Sequence, residues 1–139
     1  MHEGVAAFIV EQQRVLLGKR SPTRAFAPGI WDVFGGHTEA GESWEQTLQR
    51  ELHEELGITP QTWEYMDTLT DAEDSKYGAA QFHFFLVAKW EGIPTNMQPE
   101  EHTLIQWFSL DDVLQIDLPH PGYYRLLSAI RSRLESKES

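Results

Sequence analysis

Between Arg50 and Glu55 the chain places one guanidinium and three carboxylates, Glu51, Glu54 and Glu55, within six consecutive residues. In a helix, at about 100° per residue and with Trp44 as zero, the three glutamates fall at roughly 340°, 280° and 20°, a single sector of about 100°. Like charges three and four apart destabilise a helix, so something positive belongs among them. A solvated acidic face would interleave cations, yet Arg50 is the only Lys or Arg between Trp44 and Leu56. The residue types therefore fit a metal ion, and a carboxylate-only set selects hard Mg²⁺ or Mn²⁺ over zinc, which would call for thiolate or imidazole. Such an ion bridges phosphate oxygens, withdraws developing charge and lowers the pKa of a bound water, which is the chemistry of phosphoanhydride hydrolysis.

The elements that must hold these groups can be read around them. Ser43 followed by Gln46 has the form of a capping box, and Gly57 suits the left-handed turn that ends a helix, with Ile58 folding back. The spacing predicts a helix over 43–56, buried along Trp44, Leu48, Leu52 and Leu56. Before it, Trp31 to Phe34 reads as a short strand running into Gly35-Gly36, where backbone can approach a ligand closely. The basic cluster Lys19, Arg20 and Arg24 flanks a loop over 21–29 marked by Pro22, Pro28 and Gly29. Its charges are either solvated or phosphate contacts, since Arg matches phosphate bidentately. His37 is either a phosphate contact or a loop cap, with the structural role favoured.

Elsewhere, Val5 to Val10 and Val15 to Lys19 read as a hairpin. Trp63 to Leu69 is a strand, Thr70 to Ala79 a mobile loop, Gln81 to Trp90 a central strand and Gly92 to Glu101 a second loop. Thr103 to Phe108 is a strand, Leu110 to Leu114 begins a short helix capped by Ser109, and Tyr123 to Leu134 closes the chain as an amphipathic helix with a frayed tail after Glu135. This order predicts an α/β fold, a mixed sheet covered on both faces. Stacking on a base would fall to aromatics, with Phe26, Tyr77, Phe82, Phe84 and Trp107 as candidates.

A chain of 139 residues, 40% hydrophobic with five Trp, suits one domain. A net charge of −11 argues against stable nucleic-acid binding, which needs a basic face, and any polyphosphate substrate would need a cation to screen it. The apolar run from Val5 stops at Glu11 without a basic leader, so neither a signal peptide nor a membrane span is expected. With no Cys, the expectation is a soluble cytoplasmic protein without disulfides. A homodimer is left open.

Gly36, Glu42, Arg50, Glu51, Glu54, Glu55 and Gly57, with aliphatic Leu52 and Ile58, together resemble the signature of the Nudix hydrolases. The resemblance implies an α/β/α sandwich with a mixed central sheet, extended here over 1–139 as a single domain, and a Mg²⁺-dependent (or Mn²⁺-dependent) cleavage of nucleoside diphosphates linked to another group. It implies Glu54 and Glu55 as principal metal ligands, Glu51 as ligand or base, and a carbonyl of Gly35 or Gly36 in the metal shell. Arg50 would hold a neighbouring carboxylate of the motif, Glu51 first, and Glu42 would complete the charge network or pair with Arg50. In some relatives the base comes from a later loop, which here offers Glu100 or Glu101, the latter also a metal ligand candidate. Phe34 stands where many relatives have Pro. The proline that sugar-diphosphate hydrolases often carry about fifteen residues past the motif is replaced by Glu73 and Asp74, so a nucleoside tri- or diphosphate, oxidised forms such as 8-oxo-dGTP included, is preferred to ADP-ribose or a nucleotide sugar. A non-catalytic nucleotide sensor is opposed by the intact glutamate set. An isoprenoid-diphosphate isomerase is opposed by the missing cysteine.

Overall fold

The computed structural model describes residues 2–24, 27–74 and 78–138. In chain order it contains β1 (His2–Glu11), β2 (Arg14–Arg20), β3 (Trp31–Asp32), β4 (Phe34–His37), α1 (Trp44–Leu56), β5 (Thr59–Asp74), β6 (Gly78–Glu91), β7 (His102–Ser109), a 3-10 turn (Asp112–Gln115) and α2 (Gly122–Glu138). The strands form one sheet in the order β3-β2-β1-β6-β5, with β4 pairing β1 and β7 pairing β2. Among the described residues only β1 and β6 pair in parallel, so the sheet is mixed as expected.

Period-two alternation divides β1 between two cores. Ala6, Phe8 and Val10 face the cluster that contains Tyr123, Leu126, Leu127 and Ile130 of α2. Val5, Ala7 and Ile9 face Leu48, Leu52 and Leu56 of α1. A helix therefore covers each face, and the apolar stripe of α1 fixes which side of that helix is left to carry charge.

The start of α1 follows its sequence cues. The Ser43 hydroxyl accepts from Gln46 N–H at 3.1 Å and the Gln46 side chain accepts from Ser43 N–H at 2.9 Å. At the other end Gly57 sits at φ 69°, its N–H donating to the His53 carbonyl. Ser43→Ala should cost about 1 kcal/mol in a urea titration. An unchanged midpoint would mean that packing alone sets the helix start.

Several boundaries differ from expectation. The segment from Trp31 is two strands, β3 on β2 and β4 on β1, because Val33 stands at the change of partner. The loop expected over Thr70 to Ala79 is largely strand: Thr70 and Asp71 pair with Gln81 and Ala80, and this non-local pairing overrides the polar composition. Residues 75–77 of that expectation lie outside the described residues. The short helix is a 3-10 turn, although Ser109 does accept from Asp112 N–H. The closing helix continues to Glu138, into the tail expected to fray after Glu135. Among the described residues no helix is long and apolar enough to cross a membrane.

Candidate functional site

Strand β4 and helix α1 bring the acidic groups together through two glycines. A Cβ on Gly36 would lie 2.5 Å from the Glu51 carboxyl carbon, so only a bare Cα lets that carboxylate lie against the strand. Gly35 has φ 152°, and a side chain there would overlap the Val5 carbonyl oxygen. Its N–H donates to Glu55 Oε1 at 2.8 Å.

Arg50 is the hub. Its Nε and one terminal nitrogen grip Glu42 at 2.7 and 3.0 Å, a two-point contact that suits the planar guanidinium. The other terminal nitrogen reaches Glu51 at 2.8 Å and Glu54 at 3.4 Å. A further bond goes to the His37 carbonyl at 3.1 Å, tying α1 to the end of β4. The hydrogen bond from Arg50 holds the Glu42 carboxyl down at about 2.

The glutamates differ in their surroundings. Glu55 is 4% exposed, whereas the Glu54 side chain is 46% exposed. Burial pushes Glu51 up to about 7 in spite of the neighbouring guanidinium. Glu55 is raised well above the usual range, by burial first and then by the charge of Glu51. Both lack sufficient positive charge nearby. That deficit, the all-oxygen donors and the glycine cradle fit a divalent cation, which Glu51, Glu54, Glu55 and a carbonyl of the Gly35-Gly36 turn would hold.

Other sequence candidates are placed differently. Glu101 enters the same cleft, its carboxylate 3.7 Å from Arg24 and its carbonyl accepting from Ser21 N–H at 2.9 Å. Glu100 is exposed. Arg20 faces Asp32 at 3.4 Å and is largely buried, which turns it toward a carboxylate instead of an open phosphate position. The ring of His37 packs edge-on to His2 and against Phe82. Phe84 is core, and Trp107 lies beside Trp90 under Arg14. Phe26 and Tyr77 lie outside the described residues.

Asp32 and His102 are buried polar groups that the sequence reading did not single out. Asp32 accepts from Tyr123 O–H and Val33 N–H, both at 2.7 Å, and burial raises it. His102, 3% exposed, sits 3.9 Å from Glu55 and is lowered to about 4 by burial. Adjacency to Glu101 was the only hint of His102, because nothing local says which side of an edge strand turns inward.

These shifts predict a pH dependence for the metal-free protein. A glutamate favoured in its neutral form by folding contributes stability that is complete below about 4.5 and lost as pH rises through its folded value. Glu51 places that loss around 7. His102 acts oppositely, adding stability as pH rises from about 4, and is complete above about 6.5. In chelator, the thermal midpoint should therefore fall between pH 6.5 and 8, and a saturating divalent ion should flatten the curve. A midpoint independent of pH in chelator would contradict this.

A family model described as NUDIX domain matches residues 1–129. The chain is 34% identical over 129 residues to a CTP pyrophosphohydrolase of Escherichia coli K12, covering 93% of this chain and 90% of that protein. It is 32% identical over 117 residues to an oxidized purine nucleoside triphosphate hydrolase of Mus musculus, covering 84% and 72%. Among solved structures, a MutT NUDIX hydrolase from Burkholderia pseudomallei superposes with a TM-score of 0.76 at 30% identity, covering 91% of this chain and 94% of that one.

Proposed function

We infer from a chain that belongs to the NUDIX family, and is with it a hydrolase of phosphoanhydride bonds, that its substrates are nucleoside triphosphates, cut to the monophosphate and pyrophosphate in the presence of Mg²⁺ or Mn²⁺. The observation that carries this reading is the convergence of Glu51, Glu54 and Glu55 on Arg50 and the Gly35-Gly36 turn. The two curated relatives described above are both named for nucleoside triphosphates, which supports that class, oxidised nucleotides such as 8-oxo-dGTP included. We treat residues 1–139 as a single catalytic domain and place it in the cytoplasm as part of the same proposal.

A bound divalent ion supplies charge neutralisation on the phosphates and acidifies a coordinated water. The chain supplies the rest. Glu51 is the base we assign, since Arg50 holds one of its oxygens at 2.8 Å and Gly36 leaves room for the carboxylate beside the strand. It takes the proton of the attacking water as the water oxygen bonds to phosphorus and the P–O bond of the α–β bridge breaks, the electron pair staying on the bridging oxygen of the departing pyrophosphate or monophosphate. Glu42 keeps Arg50 in register, and Arg24 is the cation available to the phosphate chain.

The test is a panel of CTP, dCTP, dGTP, 8-oxo-dGTP and ADP-ribose with Mg²⁺. Phosphate is followed with and without added inorganic pyrophosphatase. Signal on a triphosphate only with pyrophosphatase is expected, because pyrophosphate is the first product. Phosphate without it, or turnover on ADP-ribose alone, read with added alkaline phosphatase that frees phosphate from AMP and ribose 5-phosphate, would overturn the substrate assignment.

A further inference from the structure

His102 is a buried polar side chain outside the Arg50 network. It is 3% exposed, and among the described residues its ring nitrogens make no hydrogen bond. Nε2 points at Glu55 Oε2 from 3.9 Å, too far for a hydrogen bond. The imidazole side chain is 4% exposed and aimed into this gap, which a ligand between the two would close. Glu55 is arranged for it, because Oε1 is occupied by Gly35 N–H and Oε2 is left facing the imidazole. A carboxylate oxygen of Glu101 completes a group whose three ligand atoms all lie within 4.8 Å of one another.

The ring is also held in place without using its nitrogens. A Cβ on Gly18 would lie 2.5 Å from His102 Cδ2, so β2 presents bare backbone to one side of the imidazole. Phe34 packs against it with ring centroids 5.2 Å apart. The backbone on which the ring stands is pinned by His102 N–H to the Gln98 carbonyl at 3.1 Å and by the Asn96 amide to the His102 carbonyl at 2.8 Å.

We propose that Glu55, Glu101 and His102 form a mixed oxygen and nitrogen site for a first-row transition ion, which takes Mn²⁺ or Co²⁺ in preference to Mg²⁺. Metal bonds to nitrogen and carboxylate oxygen are each about 2.1 Å, so one ion spans a separation of up to about 4.2 Å; the 3.9 Å between His102 and Glu55 lies within reach, and the Glu101 oxygen lies within 4.8 Å of both. Imidazole suits the later first-row ions, whose affinities rise from Mn²⁺ to Co²⁺, while Mg²⁺ wants near-ideal octahedral oxygen. The competing cation is Arg24, 3.7 Å from Glu101 with both side chains partly open to water; such pairs are weak, and a divalent ion displaces it. The ion class deepens the pyrophosphohydrolase reading and rests on it for its catalytic meaning, but its binding does not.

The experiment is pulsed electron paramagnetic resonance on the whole protein loaded with Mn²⁺, prepared with natural and with ¹⁵N-labelled histidine. Nitrogen modulation that changes with the label is expected, and it should disappear in His102→Phe, which keeps a ring between Gly18 and Phe34. Calorimetric titration should show Co²⁺ affinity falling about 10- to 100-fold in that variant, with Mg²⁺ affinity little changed. Absence of nitrogen coupling in the wild-type protein overturns the site, whether or not the variant folds. Coupling that survives in a folded His102→Phe overturns the assignment to this residue. Nitrogen coupling together with no nucleotide turnover on any ion supports the metal site and removes the pyrophosphohydrolase reading, so the two fail separately.

Discussion

Replacing Glu55 with Gln lowers turnover by at least about a hundredfold, the usual loss for an essential electrostatic group, and leaves the metal-free protein at least as stable as before. The two halves come from one observation. Glu55 is 4% exposed, and its carboxyl is raised by burial and by the neighbouring charge of Glu51. A buried carboxylate in that setting weakens the fold when ionised. An amide of the same shape still accepts Gly35 N–H through its oxygen and removes the repulsion, but it is a poor ligand for a hard cation. Glu54→Gln should lose activity on the same scale with little change in stability, because its side chain is 46% exposed. Kinetics at saturating nucleotide with thermal melts in chelator check both. Near wild-type turnover in Glu55→Gln would remove the metal assignment, and a destabilised fold would remove the electrostatic account.

How far the sequence carried the interpretation depends on the range of the interaction concerned. Helix α1, its capping box and its Gly57 terminus follow from contacts within four residues, and its apolar stripe follows from periodicity, so all were legible. The pairing of Arg50 with Glu51 and Glu42 was stated as an implication of the resemblance, and the distances place these groups together. Strand β5 shows where local reading stops. Its polar end at Thr70 and Asp71 has loop composition, and what makes it strand is hydrogen bonding to β6, a partner that composition does not display. The glutamates looked equivalent on a helical wheel, yet the fold buries Glu55 and leaves Glu54 half open, because β4 crosses one side of that sector. His102 and Asp32 were missed for a related reason: each is buried by elements distant in sequence, His102 by β2 and β4, Asp32 by α2 through Tyr123.

Arg50→Ala should do the opposite of Glu55→Gln to the fold while matching its effect on rate. Arg50 offsets four carboxylates, Glu39, Glu42, Glu51 and Glu54, and also binds the His37 carbonyl. Removing it leaves these charges facing one another. Losing one partner of a fully buried ion pair costs roughly 3–5 kcal/mol, whereas exposed pairs are worth at most about 1 kcal/mol. With its side chain 24% exposed, Arg50 lies between, and about 2 kcal/mol is expected in urea unfolding. Turnover should fall by about a hundredfold or more, since Glu51 loses the contact that orients it. Arg50→Lys restores the charge but not the two-point grip on Glu42, so it should recover much of the stability and little of the rate. In the double variant with Glu42→Gln the stability losses should not add, because the two residues share one interaction. If they add, the guanidinium is not held in register through Glu42, and Glu51 must be positioned by packing against Gly36 alone.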